Sequence, residues 1–166
     1  MSGVVHPPRL ERFGPKTLTG LLRPHDPAQD DAALFRELSE QWQDCAARRL
    51  AFSGKAAKTV YGVFRRMADG DREFHYFCGA ESDAQGREGF VTLQLPKLYC
   101  AVFQRTGHAL EMPGYIRMIF GTVLPMAGLE PARDAPGVPE FIERYDEHFD
   151  HKTGEGTHEI LFPIKE

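Results

Sequence analysis

The chain is poor in the residues that staple a fold together from outside its core. Its three cysteines among 166 residues, Cys45, Cys78 and Cys100, are odd in number and widely spaced, with no Cys-x-x-Cys pair. That excludes a disulfide framework and a zinc ribbon and reads instead as buried thiols in a reducing cytosol. No window approaches the roughly 18 apolar residues a membrane span requires. The stretch from Met1 to Pro8 also lacks a basic segment followed by a long apolar run. The expectation is a soluble, cytoplasmic protein with no membrane partner. Basic blocks are missing too: 20 Lys and Arg stand against 24 Asp and Glu, for a net charge of −4, and no block exceeds Arg48-Arg49 or Arg65-Arg66. Direct nucleic-acid binding is therefore not expected. Glycine-rich phosphate loops are absent and Ser53-Gly54 lacks the flanks of a nucleophile elbow, so nucleotide chemistry is set aside and no cofactor is expected.

What is present fits one domain, large enough to bury a core without metal or disulfide support. Arg9 to Leu22 reads as a first strand bent at Gly14-Pro15, closed by Pro24 to Asp30. Asp30 and Asp31 then start a helix expected over 31–48, with Ala33, Leu34, Leu38, Trp42 and Cys45 on one face. Two strands follow, Lys58 to Arg65 and Glu73 to Gly79, joined through the hairpin signal Asp69-Gly70-Asp71. Phe90 to Leu95 and Lys97 to Gln104 are extended, broken at Pro96. Met112 to Met126 has helical spacing with Pro113 in the first turn and Gly128 as the stop, and strands close the chain at Glu140 to Tyr145 and His158 to Ile164.

The order strand, helix, strand, strand thus occurs twice, with pseudo-repeats over about 1–85 and 90–166 in a single domain. Two helices cannot enclose a core alone. Laid on a sheet of about six to eight strands they can, which predicts an α+β architecture with a groove between the halves.

The sharpest chemical feature is Pro139 to Tyr145. Period-2 alternation puts Phe141, Glu143 and Tyr145 on one strand face, so a carboxylate sits between two rings. Facing water, Glu143 is merely solvated. Facing inward, its charge demands a cation or hydrogen-bond donors, and an apolar cationic ligand suits it. Tyr145, two residues along the same face, is the ring most tied to it.

Several segments taken in order resemble the GyrI-like domain, also known as the AraC-type effector-binding domain: the strand ended by Pro24, Tyr61-Gly62-Val63, Leu95 to Phe103 with Gly107, Leu124-Pro125 with Gly128, Phe141 to Tyr145, and Leu161 to Lys165. The resemblance implies duplicated β-α-β-β units in a curved antiparallel sheet, with a ligand cleft between two helices. It further implies that Glu143, with Glu140 as the alternative if the register slips, meets the charge of a lipophilic cation. With no room before Arg9 for a helix-turn-helix, the expectation is a stand-alone small-molecule-binding module. The resemblance leaves two alternatives open: a hydrolase of strained electrophilic xenobiotics, and a protein inhibitor of a large partner such as DNA gyrase.

The expected cleft residues are Glu143, Tyr145, Phe141, Trp42, Tyr61, Phe103 and Tyr115. In a hydrolase Glu143 would serve as general base, with Tyr61 or Tyr145 as acid or orienter. His148, His151 and His158 lie near Asp146, Glu147 and Asp150, but the spacing is not that of a zinc site and the segment reads as a solvated polar hairpin, so no metal is expected. Whether the partner is a small molecule alone, another protein or a second copy of the chain is left open by the residues.

Overall fold

A computed structural model describes residues 7–53, 59–66, 74–82, 89–133 and 135–166. The strands are β1 (Arg9–Phe13), β2 (Lys16–His25), β3 (Val60–Arg66), β4 (Phe74–Glu81), β5 (Val91–Leu95), β6 (Leu98–His108), β7 (Phe141–Tyr145), β8 (Phe149–Asp150) and β9 (Glu155–Pro163). Helix α1 spans Asp31–Ser53. A 3-10 turn (Ala109–Glu111) leads into α2 (Met112–Met118), a π-helical turn (Ile119–Val123) and α3 (Leu124–Met126).

All strand pairs are antiparallel, in the order β1-β6-β9-β7-β3-β4-β2-β5, with β8 paired to β9. One unit, β2-α1-β3-β4, contributes the run β3-β4-β2. The other, β6-α2-β7-β9, contributes β7-β9-β6. They meet at the β3–β7 pair. The expected first strand is in fact two strands with different partners. β1 pairs with β6 of the opposite unit, while β5, which precedes β6, pairs with β2. The reversal between β1 and β2 runs through Gly14 at φ 89°, a left-handed conformation open to glycine.

The sheet curls strongly. Phe13 on β1 and Tyr61 on β3 stand four places apart in strand order, which in a flat sheet means about 19 Å, yet their ring centroids are 5.8 Å apart. The inner core therefore collects residues from both ends of the sheet, Phe13, Leu18, Leu93, Leu95 and Val102 with Ile142 from the central strand. Arg144 closes the same side through Glu11 Oε2 at 2.9 Å and Glu159 Oε1 at 2.8 Å.

The helices cover the other face. Asp30 caps α1 by accepting from the Ala33 amide at 2.8 Å, and Leu38, Trp42 and Cys45 pack against β2 and β4. α1 runs to Ser53, past the expected end at 48. The 3-10 turn that leads into α2 opens in a capping box in which Glu111 Oε1 accepts from the His108 amide and His108 Nδ1 from the Leu110 amide, each at 3.0 Å. The π turn lets Ile119 and Leu124, five apart, both bury against β6 and β9. It sits just before Pro125, which has no N–H to give the preceding turn. Gly128, at φ 71°, ends the run. The hairpin signal Asp69-Gly70-Asp71 lies outside the described residues. β8 was not expected, and β9 starts at Glu155 rather than His158. No described helix is long and apolar enough to cross a membrane.

Candidate functional site

A cavity of about 270 Å³ lies between α1 and α2 over the central β3–β7 pair. Three rungs of that pair set its floor: Phe64 opposite Phe141, Gly62 opposite Glu143, and Val60 opposite Tyr145. At the first rung Phe64 stacks on Phe141 at 4.2 Å and on Phe74 at 4.9 Å, an aromatic ladder across three adjacent strands. Leu34, Leu38 and Trp42 form the α1 wall, and Met112 and Ile116 the α2 wall. Phe149 and His151 close one end, and the exposed Asp31 and Arg117 flank the mouth.

Glu143 lies at the middle rung and is 5% exposed. The Tyr76 hydroxyl donates to its Oε1 at 2.5 Å and accepts from Trp42 Nε1 at 2.8 Å, and the Tyr145 hydroxyl bonds to the same carboxylate. Indole, phenol and carboxylate thus form one hydrogen-bonded chain from α1 to the sheet. Burial pushes the Glu143 carboxyl up to about 7; the two hydroxyls and the more distant charge of Arg105 offset part of that rise. Both tyrosine hydroxyls are driven well above their usual range, first by burial and then by the adjacent carboxylate, so they remain donors. The site presents a carboxylate answered by neutral donors inside an aromatic enclosure, which leaves its charge available to a guest.

Of the expected residues, Glu143, Tyr145, Phe141 and Trp42 line this cavity together, and three others do not. Tyr61 is one residue out of phase with Gly62 and Phe64, so it packs in the inner core against Phe13. Phe103 is covered by the α2 side of the sheet, edge-on to Phe162 at 5.6 Å. Tyr115 turns from the cleft and lies under the Arg105 guanidinium, 5.5 Å from its ring centre. Glu140 precedes β7 and pairs with Arg133 at 3.0 Å.

The histidine segment is not the expected solvated hairpin. His148 is exposed and bonded to Asp146 at 2.9 Å, but His158 is buried beside Tyr145 and Phe149. Burial drives its imidazole down to about 3, with the charge of Arg105 adding to the effect, so it is neutral at neutral pH. His151 reaches the cavity, stacked on Trp42. Sequence reasoning had not placed Tyr76, Gly62, Phe64 or His151 at the site. Nothing local marks any of the four: the face that Phe64 and Gly62 take follows from the register of β3 on β7, which only the pairing of the two strands fixes.

The family described as "Cass2: Integron-associated effector binding protein" matches residues 9–164. The chain belongs to this effector-binding family. That places it within the GyrI-like group expected from its motifs. The transcriptional regulator BrlR of Pseudomonas aeruginosa is 31% identical over 115 residues, 68% of this chain and 40% of the regulator, so the chain spans less than half of that protein's length. Among solved structures, SAV2435 bound to tetraphenylphosphonium superposes with a TM-score of 0.67 at 15% identity, covering 95% of this chain and 93% of that one. The integron cassette protein VCH_CASS2 of Vibrio cholerae superposes with a TM-score of 0.60 at 16% identity, covering 97% of each. At such identities the likeness establishes the fold: a curled antiparallel sheet carrying two helices, in the α+β class.

Proposed function

We propose that this effector-binding domain captures lipophilic, cationic small molecules in the cleft between α1 and α2, with Glu143 as the electrostatic anchor. The observation that carries the reading is a buried carboxylate whose contacts are tyrosine hydroxyls, set among Trp42, Tyr145 and the Phe64–Phe141 ladder. A lipophilic cation entering such a site loses hydration, and the carboxylate offsets that loss in a low-dielectric setting. Each ring facing the cation adds about 0.5 to 2 kcal/mol. Apolar burial adds roughly 25 cal/mol per Å² without fixing one orientation. Binding of this kind is broad in scope, as a xenobiotic or multidrug sensor needs. That a protein of the same fold, SAV2435, is seen with tetraphenylphosphonium supports the ligand class.

Trp42, the single tryptophan, lines the cavity and reports directly on occupancy. Titration with a panel of cationic and neutral aromatic dyes should quench its fluorescence, with cations favoured. Glu143→Gln should weaken the cations by about tenfold or more and leave neutral dyes within about twofold. Equal losses for both classes, or no quenching by any cation, would remove Glu143 as the anchor. Mass spectrometry after incubation should return the ligands unchanged; a hydrated product would move the reading to hydrolysis.

A further inference from the structure

We infer that His151 is a tethered occupant of the Trp42 face that a ligand's ring would take, and that capture displaces it. This rests on the reading of the cleft as a cation site and adds a specificity-determining residue to it. The imidazole lies on the indole with ring centroids 4.1 Å apart and planes within 19°. Among the described residues, Trp42's other aromatic neighbours, Tyr145 and Tyr76, meet it edge-on at 82° and 67°. The stacked berth beside the Glu143–Tyr76–Trp42 chain is therefore held by a side chain of the protein itself.

A ring that enters between indole and imidazole needs about 3.5 Å on each side, so the two cannot stay at their present separation. The backbone need not move for this to happen. The turn bearing His151 is fixed by the Gly154 amide donating to Asp150 O at 2.8 Å, by the Ala109 amide donating to Gly154 O at 2.7 Å, and by the Lys152 amide on Asp150 Oδ1 at 2.8 Å. His151 is partly exposed and its ring also packs against Tyr145 and Phe149, with centroids 4.6 and 4.9 Å away, so displacement is a rotation about its first side-chain torsion that gives up these contacts along with the indole while the turn stays in place.

The consequence is selection. A cation that carries aryl rings can lay one of them on the indole and replace the stack it breaks, whereas a compact aliphatic cation breaks it without replacement and is penalised. His151 thus biases the cleft toward aromatic cations, independently of the charge preference set by Glu143.

The test compares wild type with His151→Ala and His151→Phe, binding tetraphenylphosphonium and tetraethylammonium by calorimetry at one pH. Alanine should tighten tetraphenylphosphonium about 3- to 10-fold and tetraethylammonium more, and phenylalanine, which keeps the stack, should bind no better than wild type. The reverse order, with alanine at or below wild-type affinity and phenylalanine restoring it, would show that the ring is a wall of the site rather than its occupant. A measurement on the wild type guards against a misfolded variant. The His151 ring protons, shifted by the indole, should move toward their free values on saturation with tetraphenylphosphonium. If ligand binds and they stay put, the displacement is refuted and the cation site stands. If the wild type binds neither cation, both readings fall.

Discussion

Gly62 lies directly opposite Glu143 across β3 and β7, and the space left by its missing side chain is where the Glu143 carboxylate meets the Tyr76 hydroxyl. A β-carbon at position 62 would collide with both oxygens at once. The glycine thus belongs to the binding apparatus as much as the charged residue does, although it offers no chemistry of its own.

Gly62→Ala is therefore expected to cost on the order of 1–3 kcal/mol in stability and to weaken cation binding by pushing Tyr76 off Glu143. Denaturant melts and dye titration check it. Gly121→Ala serves as the control, because nothing lies within 4 Å of a β-carbon there and the helical position should gain about 0.5–1 kcal/mol.

Affinity for a permanent cation should rise with pH. With the Glu143 carboxyl at about 7, the charged form goes from roughly a tenth to roughly nine tenths of the population between pH 6 and pH 8. Tetraphenylphosphonium binding should tighten by up to about tenfold over that interval, whereas a neutral analogue such as triphenylphosphine oxide should change far less. Glu143→Gln should flatten the cation's profile.

Stability should run the other way. The folded state holds the Glu143 proton more tightly than the unfolded state, whose carboxyl has its ordinary value of 4.5. The free protein therefore loses stability as pH rises through the window from 4.5 to about 7, by up to about 3 kcal/mol. Glu143→Gln removes that penalty, so its melting temperature should draw ahead of wild type between pH 5 and pH 8. A constant gap across that range would mean that Glu143 does not titrate there.

The opposite sign is expected at Glu11. Hydrogen bonds from Arg144, then from Arg9, outweigh burial and pull its carboxyl down to about 2. Its contribution is full above pH 4.5 and is lost as pH falls through about 2, so Glu11→Gln should cost about 1–2 kcal/mol at pH 7 and less than about 0.5 kcal/mol at pH 2. Urea melts at the two pH values decide it.

The parts of the site that follow one strand or one helix face were legible in the sequence. Phe141, Glu143 and Tyr145 share a face because side chains alternate, and Trp42 falls on the inner face of α1 at helical spacing. Parity failed at β3 because Tyr61-Gly62-Val63-Phe64 packs apolar side chains on both faces, into the inner core and into the cleft, so no alternation says which face is which. Tyr76 was hidden for a related reason: its approach to Glu143 depends on the register of β4 on β3, which a single sequence leaves open. His151 reaches Trp42 from a turn more than a hundred residues away, a closeness that only the tertiary fold creates. The exchange of β1 and β5 between the two units was likewise invisible, since it depends on pairing between distant strands, whereas the curved sheet was already implied by the family resemblance.

The most direct test of the central claim is a crystal structure of the protein with tetraphenylphosphonium. The account predicts the phosphonium between α1 and α2, its phenyl groups against Trp42 and the Phe64–Phe141 ladder, and Glu143 as the nearest anionic group. A cation seated on the outer surface, or in the cleft with Glu143 turned away from it, would contradict it.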